Sequence, residues 1–443
     1  MFSGCTALTK VDLGAAETIG TSAFSGCTAL SEISIPESVK TISTGAFAYD
    51  TALVRVDFTD GLLHIGDNAF DYCTSLATPE LPDSLVCFGV KVFPSVEYTE
   101  YMGAKYLGNA TNPYLVFIGT TDKDAASLTI HPDTKCIGAY AFESSGVASL
   151  ELPSSLGGIS HYAFSSSSLT SVTVPESVSY IGEAAFAQSP YLTEAHLPSG
   201  IKDIPNFLFL FCSSLKTISY AEDIRSIGAS AFAHCGNLES IAIPSTVTNI
   251  GTLAFSACRK LSYTVYEGGI YLGNEANPYL VLVAVDDVTV TDFTVHKDTK
   301  ILSSSDLSGS SISQSVFAKT GVETVALPDG LISIGGAVFQ NADKLTSISI
   351  PSGITALGAD IFSGCTALTS VELGSVEEIG EGAFYGTTSL KSIKIPLSIK
   401  TIGADAFDES AGIEKLLCEA ENEPVGWAVG WLYNTELAVY GAK

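Results

Sequence analysis

The chain has 443 residues and a formal net charge of −27, from 48 acidic and 21 basic side chains. Nucleic acid and anionic membrane surfaces attract basic faces, and no Lys/Arg cluster exists, so neither is expected as a partner. No apolar run approaches the roughly 18 residues that a membrane-spanning helix needs, so no membrane insertion is expected.

The first stretch sets a repeat. Phe2-Ser3-Gly4-Cys5-Thr6-Ala7-Leu8 returns as Phe24-Ser25-Gly26-Cys27-Thr28-Ala29-Leu30, and the phenylalanine slot continues through Phe47, Phe70 and Phe93 with steps of 22 or 23 residues. A fixed period of this size signals stacked coils that bury a common core. The chain therefore opens in mid-repeat, which predicts a truncated piece with its signal and anchor outside it, and a first coil free to self-associate. One turn reads Leu30, Ile33, Ile35, Pro36, Val39, Ile42, Ala46, Phe47. Ile33 and Ile35 are two apart and share one face of a strand, so Glu32 and Ser34 point outward. Pro36 ends the strand because it lacks an amide hydrogen. A tight helical turn is expected near Ala46-Phe47. The glycine after isoleucine is not read as a left-handed turn, because Pro205 shares its slot with Ser43 and Ser160. Close packing is the better reading.

Two longer excursions interrupt the repeat, at 97–136 and 262–301, and they are copies offset by 165 residues. Tyr106-Leu107-Gly108-Asn109 matches Tyr271-Leu272-Gly273-Asn274, and His131 matches His296. Each has strand-like runs around an Asn/Pro turn, which predicts an inserted β-hairpin. An irregular turn is expected over the serine-rich residues before Phe317. The last stretch, 411–443, holds both tryptophans, Trp427 and Trp431, and reads as a C-terminal cap over the final coil. Residues 1–443 are read as one solenoid carrying these insertions.

The Leu-x-x-Ile-x-Ile-Pro, Ile-Gly-x-x-Ala-Phe and Phe-x-x-Cys steps resemble the BspA-like leucine-rich-repeat proteins of bacterial surfaces. The resemblance implies an α/β repeat that is mostly β: a leucine-rich-repeat solenoid with short parallel strands and about 16 turns of 22–23 residues. It also implies a secreted or cell-surface location and adhesion to host or neighbouring-cell proteins, and it supplies no catalytic residues.

Seven of the ten cysteines occupy the Phe-x-x-Cys slot, which Asp50, Ser189 and Thr387 fill elsewhere. A buried small-polar slot with reduced thiols is expected, since stacked Cβ vectors run parallel. The six histidines are scattered and no zinc motif appears, so no metal and no cofactor are expected. No acid/base pair, nucleophile elbow or phosphate loop is recognisable, so no catalytic residues are assigned. The outward strand positions, such as Ser347 and Ser349, are mostly Ser and Thr. Tyrosines suit interfaces, and they concentrate in the insertions: Tyr98, Tyr101, Tyr106 and Tyr114 in the first, Tyr263, Tyr266, Tyr271 and Tyr279 in the second. These eight are the candidate binding residues for an extracellular protein or glycan. A passive surface spacer and a parallel β-helix polysaccharide enzyme are the competing readings.

Overall fold

The computed structural model describes residues 2–287, 289–305, 307 and 315–442. Most of the serine-rich stretch expected to be irregular lies outside the described residues. Contacts group the chain into two compact units, Met1–Ala221 and Glu222–Lys443. Each is a stack of coils with short strands joined by turns, and the only helix among the described residues is a 3-10 turn at Thr435–Leu437.

The described coils share a common set of physical steps. Strand Glu32–Ile35 alternates exposed and buried, with Ile33 and Ile35 inside, and it pairs in parallel with Arg55–Phe58 of the next coil. After the strand, the Pro36 carbonyl accepts a hydrogen bond from the Val39 amide at 3.0 Å. The same bond closes at Pro82, Pro153, Pro175 and Pro198 in the first unit, and at Pro244, Pro328, Pro351 and Pro396 in the second. Proline thus ends the strand and opens a turn. A second ladder then stacks Thr18–Ile19, Thr41–Ile42, His64–Ile65 and Cys87–Phe88 in register.

The segment around Ala-Phe corrects the helical expectation. Ala23, Ser25 and Cys27 donate their amides three residues back, whereas Ser22, Phe24 and Gly26 donate theirs to Thr44, Ala46 and Ala48 of the next coil. Alternate amides therefore leave the coil. This alternation recruits left-handed backbone two residues before and two after the phenylalanine: Gly45 and Tyr49, Asn68 and Tyr72, Ala184 and Gln188, Ala337 and Asn341. Non-glycine residues pay roughly 1–2 kcal/mol for that region, so the bonds to the neighbouring coil outweigh a recurring cost.

The phenylalanines stack face to face. Within each unit, successive rings lie 4.4–5.7 Å apart and within 24° of parallel. One member comes from the first insertion: Phe117 stacks on Phe142 at 4.4 Å. At the other end of the second unit, Trp431 meets Phe407 edge-on at 5.9 Å.

The cysteine slot has a donor's task. The thiols of Cys73, Cys212, Cys258 and Cys365 each point at the carbonyl of a phenylalanine one coil back, at 3.0–3.1 Å. Ser189 and Ser410 donate to the equivalent carbonyls. Burial pushes the Cys73, Cys212, Cys258 and Cys365 thiols up to about 12, so they stay protonated donors. Asp50 is the misfit. It is fully buried, its Oδ1 accepts the Cys27 amide at 2.7 Å, and its Oδ2 has no partner. Burial raises its carboxyl to about 7.

The glycine after isoleucine is a packing residue, as anticipated. Gly66 has no positive φ, and a Cβ there would sit 2.7 Å from the Thr44 nitrogen and 2.9 Å from the Ser43 carbonyl carbon of the adjacent coil. Gly20 fills the same slot with open space around it. Gly66→Ala should therefore cost about 1–3 kcal/mol, while Gly20→Ala stays within about 0.5 kcal/mol, measured by denaturant unfolding.

Asp50→Ser should stabilise the protein at pH 8 and lose that advantage towards pH 4. The folded carboxyl holds its proton to higher pH than the unfolded one, so the wild type loses stability as pH rises through that window, at about 1.4 kcal/mol per pH unit at most. Equal melting temperatures of the two proteins at pH 8 would contradict the assignment.

Candidate functional site

The insertions are built from three strands rather than two. In the first, Thr99–Tyr101 pairs antiparallel with Ala104–Leu107, which pairs antiparallel with Val116–Thr120. The last strand then joins Cys136–Ile137 in parallel, so the insertion is hydrogen-bonded into the coil ladder. Thr264–Tyr266, Gly269–Leu272 and Val281–Val285 repeat the arrangement in the second unit and join Ile301–Leu302. The extra strand turns at Met102-Gly103 and at Glu267-Gly268, with both residues of each pair at positive φ. That pattern belongs to the two-residue hairpin whose twist matches its strands. The expected Asn/Pro loop links the second and third strands.

The asparagines of that loop are structural. Asn109 Oδ1 accepts the Thr111 and Asn112 amides, and its Nδ2 donates to the Leu81 carbonyl and to Asp83. Asn274 repeats the pattern through Ile243. The side-chain nitrogen of Asn109, the first residue of an Asn-x-Thr sequence, is thus engaged in anchoring the loop.

Each insertion assembles three tyrosines around one histidine. The Tyr114 ring stacks on His131 at 3.8 Å, and Tyr101 meets His131 edge-on at 4.7 Å. In the second copy Tyr279 stacks on His296 at 3.8 Å, with Tyr266 edge-on at 4.9 Å. Tyr106 and Tyr271 form the floor. Both are fully buried, and their hydroxyl oxygens accept the His131 and His296 amides at 3.0 and 3.3 Å. Nδ1 of each histidine accepts the amide two residues on, from Asp133 or Asp298, which leaves Nε2 to carry the proton of the neutral ring.

The eight candidate tyrosines therefore divide. Tyr106 and Tyr271 hold the box together from inside. Tyr98 is 43% exposed and carries the Lys105 ammonium 5.0 Å above its ring, and Tyr266 is 38% exposed. Tyr101, Tyr114, Tyr263 and Tyr279 are half-buried. The outcome is an aromatic surface with polar rims, able to stack on a sugar ring or pack against an apolar side chain. The strand faces remain plain: Ser347, Ser349, Ser370 and Glu372 are exposed in a row.

One grouping escaped the sequence pattern. His64, Asp67, Cys87 and His161 line a single cavity, although up to 97 residues separate them. Among the described residues, no three His, Cys, Asp or Glu side chains are placed to hold a metal ion. The only sequence signal was positional. These residues fill the slots just before and two after the ladder position held by Ile65, Phe88 and Ile159, slots whose occupant varies from coil to coil.

Comparison with known proteins follows the repeats. Residues 1–102, 135–262 and 310–426 match the family described as BspA type Leucine rich repeat region, in six copies. No curated protein matches the chain. Among solved structures, a leucine rich cell surface protein of Faecalibacterium prausnitzii A2-165 is similar over 74% of this chain and 96% of its own, with 24% identity and a TM-score of 0.38. A leucine-rich repeat protein of Bacteroides ovatus is similar over 90% of this chain and 87% of its own, at 20% identity and a TM-score of 0.30. The pneumococcal vaccine antigen PcpA is similar over 93% of this chain and 73% of its own, at 19% identity and a TM-score of 0.31.

Proposed function

The chain belongs to the BspA-type leucine-rich-repeat family, and from that premise we propose that it is a non-enzymatic binding scaffold at a cell surface or in secreted form. Its ligand is an extracellular protein or glycan. The observation that carries the reading is the tyrosine–histidine box, built twice with nearly the same geometry. Both copies offer exposed or half-exposed rings on a floor fixed by a buried tyrosine. Rigid aromatic side chains contribute contact area at low entropic cost. The net charge of −27 fits a soluble surface that does not stick to nucleic acid.

The test uses an array of matrix proteins, mucins and glycans with the intact chain. Once a ligand is found, Tyr98→Ala with Tyr101→Ala, or Tyr266→Ala with Tyr279→Ala, should weaken it by about 2 kcal/mol, roughly thirtyfold in Kd. Ser347→Ala with Ser349→Ala should leave Kd within about twofold, because exposed small polar residues rarely anchor an interface. Full binding by folded tyrosine variants would move the site elsewhere. Turnover of any bound polysaccharide or peptide would overturn the non-enzymatic reading.

A further inference from the structure

In the first unit the ladder that ends at Cys87–Phe88 runs into the coils that follow the insertion. The Ala139 amide donates to the Phe88 carbonyl at 2.8 Å, and the Phe88 amide donates to Ser160 Oγ at 2.9 Å. A Cβ on Gly158 would overlap the Val86 carbonyl, so the two backbones meet without room for a side chain. Beside this meeting point lies a cavity of about 550 Å³ lined by His64, Asp67, Cys87, His161, Tyr180 and Glu183, among others.

The groups in it are arranged around the sulfur. His161 Nε2 lies 3.2 Å from Asp67 Oδ1, an ion pair rather than a directed hydrogen bond. Asp67 Oδ1 also accepts the Val90 amide at 2.8 Å, which fixes the carboxylate. His64 and Cys87 are register partners on neighbouring parallel strands, so their side chains lie side by side, and both line the cavity together with His161. His64 packs edge-on against Tyr180 at 4.8 Å.

The fold does not require this set. The second unit makes the same kind of junction, where the Leu253 amide donates to the Ser304 carbonyl at 2.9 Å and Ser303 Oγ to the Gly251 carbonyl at 3.4 Å. By repeat position, Asn249 stands there for Cys87, Ala229 for Asp67, Gly336 for His161 and Ala356 for Tyr180. The junction forms without one ionisable side chain in those slots.

We propose that Cys87 is a nucleophile sharing its cavity with two imidazoles, and that the cavity captures small disulfides bearing cationic amines. The sulfur attacks one sulfur of the disulfide R–S–S–R. The Cys87–S–S–R bond forms as the S–S bond of the disulfide breaks, the other half leaves as the thiolate R–S⁻ and takes a proton from water, and no external oxidant or reductant is consumed. The reaction is stoichiometric.

Three observations favour this chemistry. Thiolates form beside cationic imidazoles. Asp67 and Cys87 hold the His161 imidazolium up to about 9, and although burial opposes the Cys87 charge, His161 and His64 bring that thiol below its ordinary value. The shifts on Cys73, Cys212, Cys258 and Cys365 go the other way. Acyl transfer is disfavoured because an oxyanion needs free donors, and the Gly66, Phe88 and Gly89 amides on the adjoining coils are already engaged with Ile42, Ser160 and Ile65. Displacement at sulfur places no charge on oxygen. Asp67 and Glu183 in the lining favour an amine-bearing partner.

The intact chain is exposed to cystamine at pH 6.5, and each cysteine adduct is timed by peptide mass mapping. Exposed Cys5 is the internal reference. Cys87 should react at least tenfold faster than Cys5, and faster with cystamine than with the anionic glutathione disulfide. His161→Gln should slow Cys87 at least tenfold, raise the pH at which Cys87 reaches its half-maximal rate, and leave the Cys5 rate unchanged. His64→Gln is the second variant, expected to slow Cys87 in the same direction. Circular dichroism confirms that each variant is folded. Faster labelling of Cys5 than Cys87, or an unchanged Cys87 rate in both folded variants, overturns the proposal. Equal rates with the two disulfides overturn the cationic preference.

Discussion

A coil of 22 or 23 residues cannot satisfy its own backbone, and the rest of the structure follows from that shortage. In the turn around each phenylalanine, every second amide points along the stack and needs a carbonyl from the next coil. Buried amides left unpaired are costly, so the repeat accepts left-handed residues at Tyr49, Tyr72, Ala184 and Gln188 to aim them. The phenylalanine rings stack at the same spacing, and the cysteine slot supplies one more donor to the phenylalanine carbonyl of the neighbouring coil. Sequence periodicity is the trace of this coil-to-coil accounting. Asp50 shows its limits, since it puts an acceptor in a donor's slot, and burial raises its carboxyl to about 7.

Much of this was legible in the sequence because the code is local and repeated. Ile33 and Ile35 point inward, Pro36 ends its strand, and Gly66 packs against a neighbouring backbone, as their spacing and slot-mates indicated. The helical turn was misjudged because left-handed φ at Ser22, Asn68 or Leu253 leaves no compositional mark. Turns of this kind look like the start of a helix in a one-dimensional pattern. The third strand of each insertion was missed for a related reason: Met102-Gly103 is a weak version of the Asn-Gly turn signal. Tyr106 and Tyr114 were indistinguishable as letters, yet one is the floor of the box and the other its half-exposed wall. The Cys87 grouping was invisible because it depends on the insertion bringing non-consecutive coils together.

The two places where chemistry concentrates are the two places where the repeat is interrupted. Regular coils present Ser and Thr outward and leave little to recognise. The insertions add aromatic rings that the repeat has no slot for. The junction beside the first insertion adds two imidazoles and a thiol to one cavity. A repeat array thus supplies rigidity, and its interruptions supply the distinctive side chains.

Coil-to-coil stacking, rather than any single coil, holds the fold. Phe186 tests it most directly, because it stacks on Phe164 at 5.3 Å and on Phe209 at 5.6 Å within one unit. Phe186→Ala, followed by hydrogen exchange with mass-spectrometric readout, should cost about 3–5 kcal/mol. It should also lower protection in the Phe164 and Phe209 coils as well as its own. Loss of protection confined to the mutated coil, with a cost below about 1 kcal/mol, would contradict the account.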